Sequence, residues 1–167
     1  ARPHVGAEVI VNLDLENFFP SISYQRIKGL YRSLGYSEAI ATLLALICTE
    51  PDVAEVELDG RTYFIAQFSR HLPQGAPTSP ALTNLLCRRL DRRLEMIATE
   101  CGFKYTRYAD DLTFSSAETL NICKLLRRVE AIVTKEGLKI HPDKTRVLRS
   151  SRQQEVTGIV VNEKLNI

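Results

Sequence analysis

Lys104-Tyr105-Thr106-Arg107-Tyr108-Ala109-Asp110-Asp111-Leu112-Thr113-Phe114-Ser115 is the stretch on which the fold turns. Residues 104–108 and 112–115 are short runs of aromatic and β-branched character. Between them, 109–111 is small and acidic. Together they predict two paired strands around a tight turn. Adjacent acids on a turn are ordinary turn chemistry when they stand alone. They do not stand alone here. The run 8–15 is apolar and β-branched, long enough for one buried strand, and it delivers Asp14 to its C-terminal rim. If the two strand systems share a sheet, Asp14, Asp110 and Asp111 converge. Their mutual repulsion then raises a pKa unless a cation sits among them. Magnesium prefers such hard oxygen ligands, and two ions about 4 Å apart clamp an in-line phosphoryl displacement.

Working outward, Pro20 and Ser21 break the first strand. Two amphipathic helices are predicted over 23–34 and 37–48, with Ser23 and Ser37 as N-caps and Gly35 between them. Runs 53–58 and 62–67 flank Asp59 and Gly60, a hairpin signal that Arg61 would lengthen. Residues 72–80 form a loop into a helix that carries Leu82, Leu86, Leu90 and Leu94 at i+4 spacing, followed by Ile97. A further helix is predicted over 118–136, with Leu120, Cys123, Leu126, Val129 and Val133 along one stripe and Gly137 ending it. Short strands are expected at 138–140 and 145–148, and a last one over 156–161. This order predicts an α+β domain, a mainly antiparallel sheet with helices packed on one face.

The bulk properties bound the reading. The 167 residues are 44% hydrophobic, which suits one globular core, and no linker or repeat interrupts them. No run is long and apolar enough to span a bilayer, and no signal peptide is visible. A net charge of +2 is neutral evidence on nucleic acid. The clusters Arg88, Arg89, Arg92, Arg93 and Lys124, Arg127, Arg128 read first as solvated helix faces. Cys48, Cys87, Cys101 and Cys123 fit no zinc spacing and are expected as reduced thiols. The chain begins at Ala1, without Met, and stops straight after a strand-like run, so it is expected to be a piece of something longer.

Five motifs, in order, resemble those of reverse transcriptases. Tyr108-Ala109-Asp110-Asp111 resembles the family's Tyr-X-Asp-Asp turn. Asp14 with Leu15, Glu16, Asn17, Phe18 and Phe19 resembles its first catalytic-aspartate motif. Leu72 to Pro80, with Pro73-Gln74-Gly75, resembles its Pro-Gln-Gly loop. Pro142-Asp143-Lys144-Thr145 resembles its lysine loop, and Val156-Thr157-Gly158 its primer-grip strand. Within the family the nearest resemblance is to the bacterial retron type: Ala1-Arg2-Pro3-His4 matches the end of an Asn-Ala-X-X-His element. Related polymerases linked to CRISPR or phage defence share much of this pattern.

The resemblance implies a polymerase palm over 1–167 with part of the fingers, most of the fingers and the thumb being absent. It implies an RNA-directed DNA polymerase using two Mg2+ ions, with Mn2+ as a substitute. Asp14, Asp110 and Asp111 would be catalytic and metal-binding acids, with the Leu15 carbonyl as a further ligand. Phe19 would be the gate that excludes a 2′-hydroxyl, a role Phe18 could exchange with it. Gln74 and Gly75 would line the nucleotide pocket. Lys144 would meet the departing pyrophosphate, or be a plain surface lysine. Val156, Thr157 and Gly158 would hold the primer. The implied partners are an RNA template, a DNA or RNA primer, deoxynucleoside triphosphates and a structured non-coding RNA that His4 would touch, unless His4 is structural. The implied setting is the bacterial cytoplasm, and the isolated chain is expected to be weakly active or inactive. A non-catalytic nucleic-acid-binding palm and another palm-type nucleotidyltransferase are the alternatives. The intact three aspartates speak against the first, the Pro-Gln-Gly loop and gate aromatic against the second.

Overall fold

The computed structural model describes residues 1–118 and 121–164. A 3-10 turn (Arg2–His4) leads into strand β1 (Val9–Asp14), helices α1 (Tyr24–Ser33) and α2 (Glu38–Cys48), and strands β2 (Glu50–Leu58) and β3 (Arg61–His71). Helices α3 (Ser79–Leu86) and α4 (Arg88–Glu100), strands β4 (Lys104–Tyr108) and β5 (Asp111–Ser116), and helix α5 (Ile122–Lys135) follow. A second 3-10 turn (Pro142–Lys144) precedes strands β6 (Arg146–Arg149), β7 (Glu155–Val156) and β8 (Ile159–Val160). By its contacts the chain divides into two compact bodies, Asn17–Cys87 and the flanking Ala1–Glu16 with Arg88–Ile167. No linker-like composition marks that division.

The first body is built on an antiparallel sheet in the order β4-β5-β1-β6. Register fixes its faces, because directly opposed residues share a side and the side alternates along each strand. One face carries Val11, Leu13, Leu112 and Phe114, all buried, and the helices supply its cover through Leu90, Leu94 and Ile97 of α4 and Leu125, Val129, Ile132 and Val133 of α5. Each fully buried side chain of this size contributes roughly 1.5–3 kcal/mol. The α5 stripe is rotated from the expected one. Cys123 is exposed, and Leu120 lies outside the described residues. Asn121 caps α5, its side chain accepting from the Lys124 N–H at 3.1 Å.

The opposite face is divided along its length. At one end Ile10 packs with Ala7, Val156 and Val161 in a small apolar cluster. There His4 is fully buried, with Nδ1 2.6 Å from Ser115 Oγ and Nε2 2.7 Å from Thr106 Oγ1. Its ring bridges β4 and β5 and is committed to the interior rather than offered to an RNA. Burial lowers its pKa from 6.5 to about 4, so the ring is neutral. At the other end the face is open and polar.

Several boundaries differ from the sequence-based ones. The single helix expected after the Pro-Gln-Gly loop is two, parted at Cys87. The Thr83 hydroxyl bonds back to the carbonyls of Ser79 and Pro80, a contact that bends helices. The last strand, expected over 156–161, is a two-residue hairpin turning at Thr157 (φ +50°) and Gly158 (φ +80°). At 138–140 only a bridge forms, Ile140 to Leu15.

In the second body α1 packs on α2 and β2 pairs with β3. Arg61 does not lengthen that hairpin: Leu58 opposes Arg61 directly across Asp59 and Gly60, both at positive φ. The Ser37 hydroxyl caps α2, whereas Ser23 makes no side-chain cap bond.

Candidate active site

Register brings the first two acids together. Asp14, the last residue of β1, is the direct cross-strand partner of Asp111, the first residue of β5. Opposed residues of an antiparallel pair have Cβ atoms roughly 4.5–5.5 Å apart. Asp110 sits on the two-residue turn between β4 and β5, and its carbonyl accepts from the Leu15 N–H at 3.1 Å. The sheet therefore continues into the turn and holds it against the end of β1. The same register sets Asn12 opposite Thr113, one pleat further down the polar face, and the Thr113 hydroxyl donates to Asn12 Oδ1 at 3.1 Å.

The electrostatics follow from this crowding. Desolvation raises the pKa of Asp111 first, the charges of Asp110 and Asp14 raise it further, and the Lys144 ammonium opposes them. Lys144 Nζ lies 3.0 Å from Asp14 Oδ1. Its loop is tied to the same aspartate through the backbone, the His141 N–H donating to the Asp14 carbonyl at 2.8 Å. With the Glu16 N–H on the Lys139 carbonyl, this completes the bridge between Leu15 and Ile140, and the Leu15 carbonyl takes part in neither bond. Among the described residues no three of His, Cys, Asp and Glu form a ready-made metal cluster. The site presents an opposed carboxylate pair, a third acid on the adjacent turn and a lysine on one of the pair.

These groups edge a cleft of about 540 Å³ that runs across the polar face to the β7–β8 turn. Asp14, Asp111 and Lys144 line it at one end, Thr157 and Gly158 at the other. Val156 does not; it is buried in the small apolar cluster. Asn12, Thr113 and Arg146 also line the cleft and escaped sequence reasoning. The signal for Asn12 and Thr113 was available: each is two residues from an acid and so shares its face of the sheet.

Beneath the turn lies a partly buried ion pair. Arg107, its side chain 5% exposed, grips Asp91 of α4 with Nε to Oδ1 and Nη2 to Oδ2, both at 2.8 Å. The Tyr105 hydroxyl donates to the same Oδ1 at 2.9 Å. Arg107 Nη1 donates to the carbonyl of Ala109 at 3.1 Å. Ala109 is held at φ +51°, a left-handed conformation that costs a non-glycine residue about 1–2 kcal/mol.

The remaining motif residues belong to the second body. Phe18 is buried and Phe19 half-buried, their rings 5.4 Å apart. Gln74 and Gly75 are exposed, Gly75 at φ +91°. Their loop is fixed by the Ser79 hydroxyl on the Pro73 carbonyl at 2.8 Å. Of the arginine clusters, Arg89 and Arg93 pair with Glu136, and Arg128 with Glu100.

A family described as Reverse transcriptase (RNA-dependent DNA polymerase) matches residues 1–161. The Mx162 retron reverse transcriptase of Myxococcus xanthus is 48% identical over 97% of this chain and 36% of its own length. The Mx65 retron reverse transcriptase of the same organism is 44% identical, covering 100% of this chain and 39% of its own. For the Ec86 retron reverse transcriptase of Escherichia coli the identity is 38%, with 98% and 46% covered. The chain thus spans less than half the length of these relatives. Among solved structures, apo telomerase from Candida tropicalis superposes with a TM-score of 0.64 at 13% identity, over 98% of this chain and 36% of its own, a likeness of fold alone. Among the described residues no helix is long and apolar enough to cross a membrane.

Proposed function

The chain belongs to the reverse transcriptase family, and from that premise we propose that it is the catalytic core of a retron-type RNA-directed DNA polymerase, extending a primer along an RNA template in the bacterial cytoplasm. The observation that carries this is the cross-strand opposition of Asp14 and Asp111 beside Asp110. Desolvation and then the neighbouring charges of Asp110 and Asp14 raise the pKa of Asp111, an environment that a bound cation would relieve. The donor set, carboxylate oxygens with the Leu15 carbonyl, fits Mg2+, with Mn2+ as a substitute. When bound, such ions supply charge neutralisation of the phosphates and activation of the primer 3′-hydroxyl.

The chain's own residues do the rest. Asp14, Asp110 and Asp111 would hold the cations at the ends of two central strands that cannot shift without breaking ladder hydrogen bonds. Lys144, parked on Asp14, has the length and charge to transfer to the triphosphate and support the leaving pyrophosphate. The Thr157–Gly158 turn borders the cleft where the primer strand would lie. Phe19, the half-buried member of its pair, is the reading we favour for the sugar gate, with Gln74 and Gly75 contacting the incoming deoxynucleotide. A structured non-coding RNA fits as partner, held by residues other than His4, and a part in antiviral defence fits the same reading.

The test is primer extension on an RNA template by the full-length protein, with Asp110→Asn beside it. That substitution removes a charged ligand and nearly preserves shape. Extension is expected from the parent and none from the folded variant; normal extension by Asp110→Asn would sink the assignment.

A further inference from the structure

We propose that Asp91 and Arg107 are positioning residues that act through the Ala109 carbonyl to set the carboxylates of Asp110 and Asp111; the proposal rests on the polymerase reading of this site. The argument begins with the backbone. The direction of the Asp110 side chain is set by the two peptide planes on either side of its Cα. The plane after it is held by its own carbonyl on the Leu15 N–H at 3.1 Å. The plane before it contains the Ala109 carbonyl, and that is the group Arg107 Nη1 holds at 3.1 Å. Each plane has its own anchor, one on β1 and one on the guanidinium.

The guanidinium is in turn referenced to a helix. Its fork is planar, so the two bonds to Asp91 fix the direction of the third nitrogen. Asp91 belongs to α4 and is braced from β4 by the Tyr105 hydroxyl. The turn is therefore located against α4 as well as by its own hairpin. This matters at a non-glycine residue at φ +51°, where release of the carbonyl allows the peptide to rotate toward a less strained setting. An ion pair with one enclosed and one partly exposed member is weak evidence of stability, since apolar replacements of similar bulk often serve the fold as well. Arg107 is also too enclosed, at 5% side-chain exposure, to act as a phosphate ligand itself. What the arrangement does supply is a fixed geometry one residue away from the acids.

The test uses the full-length protein and two variants. Arg107→Lys keeps a charge for Asp91 but cannot hold Asp91 and the Ala109 carbonyl together in one plane. The double variant Asp91→Leu with Arg107→Met replaces the pair by apolar bulk and removes the clamp. Four quantities are read: Tm, Mn2+ binding by electron paramagnetic resonance, kcat, and KM for the deoxynucleotide. At least one variant is expected to keep its Tm within a few degrees. In that variant kcat should fall about ten- to a hundredfold, as small misplacements at a reacting centre do. KM should stay within about twofold and the Mn2+ half-saturation should rise several-fold, a pattern that general destabilisation does not produce. Wild-type kcat and Mn2+ affinity in either folded variant would overturn the proposal. Unfolding of both would overturn it too, assigning the pair to stability alone. Asp110→Asn separates the layers: an inactive Asp110→Asn beside a fully active Arg107→Lys removes only the clamp, whereas an active Asp110→Asn removes the polymerase reading.

Discussion

At the scale of the residue, Asp111 shows how desolvation and neighbouring acids weigh on a carboxyl at the end of a central strand. Its pKa is raised, so its proton leaves at a higher pH in the folded chain than in the unfolded one. Folding is favoured below the unfolded value, near 3.9, and that advantage is lost as pH rises through the folded one. At neutral pH the cation-free fold carries the cost. Asp111→Asn is therefore expected to raise Tm by a few degrees in EDTA and to lose the increment that wild type gains from Mg2+. A lower Tm in EDTA would mean that Asp111 is not under repulsion. His4 titrates with the opposite sign. Its folded pKa, about 4, lies below the unfolded 6.5, so stability is retained above 6.5 and lost as pH falls toward 4. The loss is on the order of 3 kcal/mol, and urea titrations from pH 7 to 4 should show it in wild type and not in His4→Gln. On the proposal that Phe19 is the sugar gate, Phe19→Ala is expected to raise the ratio of ribo- to deoxynucleotide insertion; an unchanged ratio makes Phe19 a packing residue. The meeting of Asp14 with Asp111 was legible because each acid alone is ordinary, whereas acids at the ends of two strands converge once those strands share a sheet. Arg107 was not, since an arginine in an exposed-looking strand gives no hint that an acid on α4 waits for it.

At the scale of the element, apolar periodicity located strands and helices well and located their interruptions poorly. The leucines of α3 and α4 keep one spacing across Cys87, so hydrophobicity alone reads a continuous helix; periodicity does not weigh local features such as the Thr83 hydroxyl bonded back to the Ser79 and Pro80 carbonyls. Residues 156–161 misled for the same reason. Val156, Ile159, Val160 and Val161 outweighed the turn signal of Gly158. That hairpin carries a correctable flaw, because both of its turn residues have positive φ and Thr157 is β-branched. Asn-Gly is the preferred pair for such a turn. Thr157→Asn is expected to stabilise the chain by about 1 kcal/mol, seen as a rise in Tm of about 2–4 °C. No rise would show that the Thr157 hydroxyl on the Val156 carbonyl, at 2.8 Å, already offsets the strain.

At the scale of the whole molecule, fold class and family were legible, and the division into two bodies was not, because Asn17–Cys87 is as ordinary in composition as its surroundings. This chain of 167 residues is expected to fold by itself and to extend primers far more slowly than the full-length protein, with primer–template binding that weakens steeply as salt rises. Extension assays at equal concentration check the first point and binding titrations in rising salt the second; equal rates would show that this core grips its substrate unaided. The insertion of one body within the other also dictates an order of events on the ribosome. The partners of β1 are β5 and β6, which leave the exit tunnel long after it. Until they do, β1 is a sticky apolar ribbon with both edges open, and Asp14 faces nothing. Within residues 17–87, meanwhile, β2 already has β3 and α1 already has α2. The nascent chain must therefore keep β1 waiting while a later segment matures, and the aggregation risk of that open strand falls before the chemistry of the site exists at all.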